Sequence, residues 1–249
     1  MKTITVEKRD CNHYSNKPMK CLAIGGCHME GYPIGFNNSF IHKFSKRFTS
    51  DVHVEANFPL SHTYRISALI KEHDPGIVIL QLGNFEFDAS LKKTFDLWAR
   101  KKRIPSAEQP KTNDRIVSQT GNFVHIVSTT PPVTNNRFLS LLQWACLPPT
   151  ILVRKYLVAG QMRSLKEITQ QFPHIKFIVL TPLPVVKATD NWIRKRAARY
   201  FKHYFKDLNN VSVIDTHETL KHPPVFADES HLNKIGHDLL QYAMEQELT

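Results

Sequence analysis

The sequence predicts an α/β fold with a mainly parallel sheet and helices on both of its faces. Strand-like runs alternate with segments of helical period along most of the chain, and no internal repeat interrupts them. The run Ile77–Leu82 is continuously apolar, which is typical of a parallel strand covered on both faces. With 249 residues, 41% of them hydrophobic, the chain can bury a sizeable core. We expect one domain over 1–249, with an N-terminal arm at 1–19 and a candidate lid or insertion at 88–150.

The first half of the chain predicts two strands and two helices around this central run. The strands are 20–25, a short apolar run, and 52–56, where apolar and polar residues alternate. Apolar residues at helical spacing cover 34–48 and 61–73, and Pro75-Gly76 ends the second helix.

The second half continues the alternation and closes the domain. It predicts a helix over 153–172, a strand over 175–180, a basic helix over 190–205 with Asp190 as its N-cap, a strand over 211–215 and a closing helix over 232–247. Ligands of such folds bind at the carboxyl ends of the strands. Cys27, Gly83-Asn84 and the loop 181–184 all fall at that edge.

The charge balance is strongly basic. The chain has 33 Lys+Arg against 22 Asp+Glu, a formal net charge of +11. This excess favours anionic partners such as phosphorylated substrates, an acidic carrier protein, nucleic acid or an anionic membrane surface, or it serves solubility alone. Basic residues cluster at 100–103 and at 194–196, the latter expected on an exposed helical face. Because no glycine-rich phosphate loop, zinc finger or basic repeat accompanies them, we expect no dedicated nucleic-acid module.

The spacing of the cysteines and the character of the N-terminal residues predict a cytoplasmic protein. Cys11, Cys21, Cys27 and Cys146 fit neither a CxxC metal site nor a dense disulfide framework. The N-terminal residues lack the apolar core of a signal peptide, and no apolar run is long enough to span a membrane. We therefore expect free thiols, a cytoplasmic protein and no transmembrane segment. No His-x-x-x-His pair with a third ligand appears, so we expect no metal.

Two short segments contain the candidate catalytic residues. Cys27 follows a glycine pair at the end of the first strand, and Asp228 lies three residues before His231, just ahead of the closing helix. A thiol at a strand-to-helix turn gains from nearby backbone N–H groups, which favour the thiolate. His231 would accept its proton and Asp228 would orient the imidazole. The Cys27 N–H and the Asn84 side chain are candidate oxyanion donors.

These segments resemble blocks of the SGNH/GDSL hydrolase family. The run 24–31, Ile-Gly-Gly-Cys-His-Met-Glu-Gly, is similar to the first block, with Cys27 at the nucleophile position and Gly26 at the usual Asp position. The run 228–236, Asp-Glu-Ser-His-Leu-Asn-Lys-Ile-Gly, matches the last block closely. The run 82–86 is similar to the third block, with its Asn one position early and Glu in place of the final Asp. The glycine of the second block is not evident in 57–61.

The resemblance implies a flavodoxin-like three-layer α/β/α fold and activity as an esterase, lipase, thioesterase or carbohydrate acyl-esterase. The leading hypothesis is a cysteine-dependent hydrolase or acyltransferase that works through an acyl-Cys27 intermediate. No cofactor is expected, although coenzyme A or the thioester of an acidic acyl carrier protein could serve as acyl donor. The predicted oxyanion or substrate contacts are Gly26, His28, Gly83, Asn84 and Glu86.

Several of these residues have an alternative without chemistry, and His231 could be simply a residue at a helix N-terminus. Cys27 could fill the space of a lost serine in a decayed enzyme, and Asn84 could cap a strand end. His28 could be a solvated loop histidine, and Glu86 a surface charge. At the level of function, the alternatives are an inactive SGNH-like module that binds a glycan or anionic ligand, and an esterase whose nucleophile is Ser61 or Ser230.

Overall fold

The computed structural model describes residues 19–49, 51–90, 137–221 and 224–248, with side chains from residue 144 onward in the third range. In this part of the chain, five strands form one sheet in the order β2-β1-β3-β4-β5, and every pairing is parallel. The strands are β1 Lys20–Gly25, β2 Asp51–Glu55, β3 Ile77–Gln81, β4 Lys176–Leu180 and β5 Val211–Ile214. The order reverses at β1 and β3, where open α/β sheets bind their ligands.

Six helices surround this sheet in the described part. They are α1 Phe40–Phe48, α2 Ile66–His73, α3 Arg137–Gln171, α4 Ala188–Phe205, α5 Thr216–Thr219 and α6 Lys234–Gln246. Short 3-10 helices lie at Cys27–Glu30, Phe36–Asn38 and Leu60–Arg65. The described residues contain no helix with both the length and the apolarity needed to cross a membrane.

Two hydrophobic cores sandwich the sheet. Successive strand residues point to opposite faces, so Leu22 and Val78 pack with α2, α3 and α4, whereas Ala23 and Ile79 pack with α1 and α6. The central strands β1, β3 and β4 are consequently almost fully buried. The predicted three-layer α/β/α architecture with a parallel sheet is confirmed.

The structure extends the helix predicted for 153–172. Helix α3 begins at Arg137, so it includes the last part of 88–150, the candidate lid or insertion. Pro148 and Pro149 lie inside α3. A proline leaves the carbonyl four residues earlier without its donor. Here those carbonyls belong to Trp144 and Ala145, both exposed, where water can reach them. Residues 1–18 of the arm predicted at 1–19 and the segment 91–136, including the basic cluster at 100–103, lie outside the described residues.

The start of α4 is a second correction. The N-cap residue is Lys187, and Asp190, predicted for that role, lies in the first helical turn. The Asp190 carboxylate instead accepts a hydrogen bond from the Ala89 backbone N–H at 2.7 Å. It therefore ties α4 to the loop that follows β3, at the carboxyl edge of the sheet.

Candidate active site

Cys27 begins a 3-10 turn one residue after β1, as the sequence predicts. The preceding Gly26 donates its N–H to Gln81 Oε1 at 3.0 Å, which fixes the turn to the end of β3. Gly31 ends the turn with φ 78°, a left-handed conformation that glycine adopts without strain. The thiol is half-buried at the carboxyl edge of the sheet.

The pKa of the Cys27 thiol shifts in the direction opposite to the one predicted from the sequence. Burial raises the pKa of the thiol, and the negative charges of Glu30 and Asp228 raise it further. The backbone N–H groups of Cys27 and His28 lower the pKa, as expected, but they do not outweigh burial. The expectation that the turn would favour a thiolate is therefore wrong for the unliganded protein, in which Cys27 rests as a thiol.

His231 and Asp228 form a couple within one tight loop. An antiparallel bridge between Phe226 and Leu232 closes the loop. Asp228 Oδ1 accepts hydrogen bonds from the backbone N–H groups of Ser230 and His231, both at 2.8 Å, and Oδ2 lies 2.7 Å from His231 Nδ1. Partial burial pushes the Asp228 pKa up, but these hydrogen bonds outweigh it and hold the pKa below its ordinary value. Asp228 is therefore ionised and fixes the orientation of His231.

His28 connects the thiol to this couple. Its side chain is only 4% exposed, so the interpretation as a solvated loop histidine is wrong. His28 Nδ1 lies 3.9 Å from Cys27 Sγ, and its ring centroid is 5.4 Å from that of His231. Burial lowers the His28 pKa to about 3, and its proximity to His231 adds to the effect. The ring is thus neutral near pH 7, and its low pKa makes it a poor proton acceptor. Tyr32 packs edge-on against His231 at 4.6 Å.

Asn84 lies beside the Cys27 turn although it comes one position early in its motif. Its Oδ1 accepts a hydrogen bond from the Leu183 N–H at 2.8 Å, which orients the side-chain amide. A Cβ built on Gly26 would be 3.9 Å from Asn84 Nδ2, so the amide nitrogen faces the turn. Gly83 has φ 92°, and a side chain there would meet Pro182 at 3.1 Å. The glycine therefore allows the close approach of the loops after β3 and β4.

Glu86 is neither a surface charge nor a contact of Cys27. Its side chain is buried, and Oε1 accepts a hydrogen bond from the Leu60 N–H at 2.8 Å. Burial raises the Glu86 pKa to about 7, although this hydrogen bond lowers it. The carboxyl group thus holds the segment 57–61 in place. In that segment Asn57 has φ 55°, the left-handed conformation of a glycine, and the Phe58 N–H donates to the Gly25 carbonyl at 2.8 Å.

Arg194 is a site residue that the sequence misplaced. It was expected on an exposed basic face, as Lys195 and Arg196 are, but its guanidinium points inward. It donates to the carbonyl oxygens of Asn84 at 3.1 Å, Leu183 at 3.0 Å and Phe87 at 3.3 Å. Arg194 therefore joins the two loops that present Asn84. The periodicity of α4 carries no signal for this role, because all three acceptors are backbone carbonyls outside the helix.

Gln81 was not predicted as a site residue, although a signal existed. It is the polar residue within the apolar run of β3, and its side chain is 1% exposed. Its oxygen holds the Gly26 N–H, and its Nε2 has no hydrogen-bond partner among the described residues. Burying a side-chain amide at the end of a central strand costs free energy unless hydrogen bonds offset the loss of water. Here the hydrogen bond from the Gly26 N–H to the amide oxygen fixes the backbone just before Cys27.

The serine alternatives fit the geometry poorly. Ser230 Oγ lies 3.2 Å from His231 Nδ1, the nitrogen that Asp228 already binds, so it does not face the free nitrogen of the ring. Ser61 is exposed within the 3-10 helix Leu60–Arg65. Within the described ranges, no group of three His, Cys, Asp or Glu side chains is arranged to hold a metal ion.

Comparison with known proteins defines the fold. No protein-family model matches the sequence, and no curated protein matches it. Solved structures do match. A protein assigned to the lipolytic G-D-S-L family from Desulfitobacterium hafniense has a TM-score of 0.54 at 16% identity, over 92% of this chain and 98% of that one.

Two further structures have the same architecture. A lipase/acylhydrolase from Enterococcus faecalis has a TM-score of 0.52 at 13% identity, over 92% of this chain and 95% of its own. A catalytic mutant of the acetylxylan esterase Axe2 from Geobacillus stearothermophilus has a TM-score of 0.51 at 13% identity, over 92% and 94%. At such identities the likeness establishes the fold alone. The chain has the three-layer α/β/α fold of the SGNH hydrolases.

Proposed function

We propose that the protein is an SGNH-type acyl-transfer enzyme, an ester or thioester hydrolase or an acyltransferase, with Cys27 as nucleophile. The observation that supports it most directly is the ionised Asp228, whose Oδ2 lies 2.7 Å from His231 Nδ1. His28 lies between this couple and the thiol, with its ring centroid 5.4 Å from that of His231 and its Nδ1 3.9 Å from Cys27 Sγ. A carboxylate so placed leaves Nε2 as the basic nitrogen of the imidazole. Nucleophile, base and orienting group then come from two loops at one edge of the sheet.

The proposed reaction begins with attack of Cys27 Sγ on the acyl carbonyl carbon. The thiol proton passes to His231 Nε2 as the S–C bond forms, and the carbonyl oxygen becomes an oxyanion. The Cys27 N–H and Asn84 Nδ2 are the donors placed to stabilise this charge. When the bond to the alcohol or thiol breaks, the imidazolium returns the proton to the leaving group. The product is an acyl-thioester on Cys27.

The raised pKa of Cys27 bears on this first step. Because burial disfavours the free thiolate, proton removal by His231 should accompany attack rather than precede it. A neutral thiol that is activated only when substrate is bound also reacts slowly with other electrophiles. We therefore expect slow alkylation of Cys27 even in an active enzyme, so alkylation rate alone does not test the proposal.

The fate of the intermediate decides between hydrolysis and transfer. A thioester undergoes aminolysis or thiol exchange more readily than hydrolysis, which makes an amine, alcohol or thiol acceptor a serious candidate. Exchange with coenzyme A or with a carrier-protein thioester would be nearly isoenergetic, and both donors are anionic, as the basic chain would favour. A reduced thiol is required throughout, which suits the cytoplasm.

A second candidate is an SGNH-like module that binds a glycan or another anionic ligand without catalysis. The observation in its favour is the same raised thiol pKa, because a decayed nucleophile gains nothing from ionisation. The intact His231–Asp228 couple is the observation against it. A binding module has no physical need for an oriented base beside the thiol.

Intact-protein mass spectrometry after brief exposure to activated acyl esters and acyl thioesters tests the proposal. We expect wild type to gain one acyl group and Cys27→Ala to gain none. Cys146→Ala, which removes another half-buried thiol, should acylate like wild type. Asp228→Asn should slow acylation by about 10³–10⁴-fold, because the imidazole loses its tautomer and orientation.

The result also separates the candidates. An adduct that persists until an amine, alcohol or thiol is added identifies a transferase, and one that decays in water identifies a hydrolase. If no donor labels wild type, or if Cys27→Ala is labelled as fast as wild type, the cysteine mechanism is wrong. In the first case the binding module becomes the better hypothesis.

A further inference from the structure

Helix α4 presents a basic face to the solvent. From Asn191 to the C-cap residue Lys206, every fully exposed side chain is basic: Lys195, Arg196, Arg199, Lys202, His203 and Lys206. We call these six residues the basic row. The opposite side of the helix, with Ile193 and Phe201, is buried in the core. The row is therefore the solvent side of a helix that is fixed in place.

The positive charges of the row are regularly spaced. Four of its members, three or four residues apart, stand in line along the helix axis: Lys195, Arg199, Lys202 and Lys206. Arg196 and His203 flank this line. Over about 16 Å of helix axis the row carries five lysines and arginines, or about one cation every 3–4 Å. The charges of one strand in double-stranded DNA recur about every 3.4 Å along its axis.

Acidic side chains neutralise little of this charge. Within the described ranges, ion pairing of the row is confined to Lys202, whose Nζ lies 3.2 Å from Asp215 Oδ2. Arg196 instead packs over an aromatic ring, with its Cζ 4.9 Å from the centroid of Trp192. A guanidinium over a ring keeps its charge and its N–H donors for a ligand. The row is thus a largely uncompensated cationic surface.

Helix α3, which packs beside α4, widens this surface. Its Lys155 and Lys166 reach over the rings of Tyr200 and Tyr204 on α4, with distances from Nζ to the ring centroids of 5.3 and 5.7 Å. Arg163, about one turn before Lys166, is fully exposed. The positive charge therefore extends over two neighbouring helices.

We propose that the basic row binds the phosphate backbone of a nucleic-acid duplex. A polyanion of regular spacing matches a regular line of cations, and arginine pairs with phosphate through its planar fork of donors. Trp192, Tyr200 and Tyr204 carry cations over their faces, so these rings are not open to stack on unpaired bases, as single-strand binding proteins use them. Because the sequence contains no zinc finger or basic repeat, we expect contacts to phosphates and little dependence on base sequence.

Other occupants fit the row less well. A helix that lies on an anionic membrane inserts apolar side chains as well as offering charge, and the fully exposed side chains of α4 between Asn191 and Lys206 include none that is apolar. The centre of a protein interface is rich in aromatic residues and poor in lysine. A second copy of the chain, or its segments 1–18 and 91–136, would meet repulsion, because lysines and arginines outnumber acidic residues in each of them.

Fluorescence anisotropy of labelled oligonucleotides with the full chain tests the proposal. The probes are a short DNA duplex, the RNA duplex of the same sequence and each single strand alone. Affinity is measured over a salt series, because the logarithm of the binding constant falls by about 0.9 per neutralised phosphate for each unit of log[salt]. We expect wild type and Cys27→Ala to bind the DNA duplex with a slope of about −3 to −5. Equal affinity for the RNA duplex would show that charge alone is read, and a preference would identify which duplex the surface takes.

Charge removal within the row should change that slope. Arg196→Gln with Arg199→Gln should reduce its magnitude by about 2 and weaken binding by about tenfold or more near 0.1 M salt, whereas lysine at both positions should keep the slope. The matched control is Lys46→Gln with Lys71→Gln, which removes the same charge from exposed positions on α1 and α2 and should bind like wild type. Thermal unfolding of each variant checks that the fold is intact.

Three results would overturn the proposal. The first is wild type that binds neither duplex at low salt, and the second is a glutamine variant of the row whose slope equals that of its control. The third is tighter binding of a single strand, of phosphatidylserine vesicles or of polyglutamate than of the duplexes at equal charge, which would assign the row to that class instead. None of these measurements involves acyl transfer, so they test the surface separately from the proposed function.

Discussion

At the scale of single residues, Glu86 shows how a buried acid couples site and stability. Its carboxyl group is enclosed next to the segment 57–61, and one oxygen, Oε2, has no hydrogen-bond partner in the described part of the chain. The burial raises its pKa to about 7 from an ordinary value of 4.5. Between these values the folded protein holds a proton that the unfolded chain has released. The free energy of unfolding must therefore fall as pH rises through this window.

We predict that wild type loses on the order of 1–3 kcal/mol of stability from this group between about pH 5 and about pH 8. Glu86→Gln should lose that much less, because glutamine keeps an acceptor for the Leu60 N–H but carries no charge. Urea unfolding over a pH series measures both. Glu72→Gln, on the exposed side of α2, is the control and should follow wild type. Parallel pH curves for wild type and Glu86→Gln would show that the prediction is wrong.

The residue scale is also where sequence reasoning fails most often. The prediction of Cys27, Asp228 and His231 rests on local spacing, and the structure shows the Asp228–His231 bond that this spacing predicts because both residues belong to one tight loop. Arg194 and Gln81 were misplaced or missed since their partners are backbone groups of other segments. No pattern of periodicity or motif encodes a bond from a helix arginine to three carbonyls outside the helix.

At the scale of elements, Arg154 fastens α3 to the sheet. Its guanidinium is fully buried and donates to Asp88, to the Ser90 carbonyl and to the Glu86 carbonyl. Burial lowers the Arg154 pKa, while the nearby carboxylates, Asp88 first, raise it. The ion pair of Arg154 with Asp88 is therefore enclosed at the point where the long helix meets the loop after β3.

We predict that Arg154→Met destabilises the protein by about 3–5 kcal/mol, because it breaks a buried ion pair by removing the cation 2.9 Å from the Asp88 carboxylate. Arg154→Lys should recover part of the loss, since it restores the charge but not the planar fork of donors. Urea denaturation gives both values. Arg163→Met, on the exposed side of the same helix, should change stability by less than about 0.5 kcal/mol. A loss for Arg154→Met no greater than that would refute the role.

Element boundaries follow from hydrophobic period wherever the period is uninterrupted. The strands at 20–25, 77–82 and 175–180 were placed to within about one residue by their apolar runs, because burial on both faces leaves little room for polar residues. Helix α3 was predicted too short because Pro148-Pro149 indicates a helix end. The structure continues through both prolines since the carbonyls that lose their donors belong to exposed residues.

At the scale of the whole molecule, stability should be distributed from the centre of the sheet outward. Strands β1, β3 and β4 lie between two cores, whereas β2 and β5 are the outer strands of the sheet that the described residues form, and their residues are mostly half-buried. Few buried contacts hold an edge strand beyond its hydrogen bonds. Local opening of the edges is thus expected to require less free energy than unfolding of the centre.

Native-state hydrogen exchange measures this gradient. We predict that the amides of Ala23, Ile79 and Ile178 exchange only through global unfolding, with free energies equal to that from urea denaturation. Hydrogen-bonded amides in β2 and β5 should exchange faster and depend less on denaturant. Equal protection across all five strands would indicate a single cooperative unit and contradict the gradient.

The fold class was predictable at this scale because alternating strands and helices admit few arrangements. Strand order, by contrast, is absent from the pattern, and so is the direction in which α3 crosses the sheet, with Arg154 bound to the loop after β3 at the edge that bears Cys27. That orientation depends on the pairing of β3 with β4 and on Arg154, neither of which local sequence reveals.

Gly26 and Gln81 together restrict which residue the turn before Cys27 can hold. A Cβ built on Gly26 would lie 3.3 Å from Gln81 Oε1, the oxygen that accepts the Gly26 N–H. Any side chain at position 26 therefore requires this amide to shift and so disturbs the hydrogen bond that holds the backbone ahead of the thiol. The glycine and the glutamine act as one unit, and a change at either position alone loosens the turn that carries Cys27.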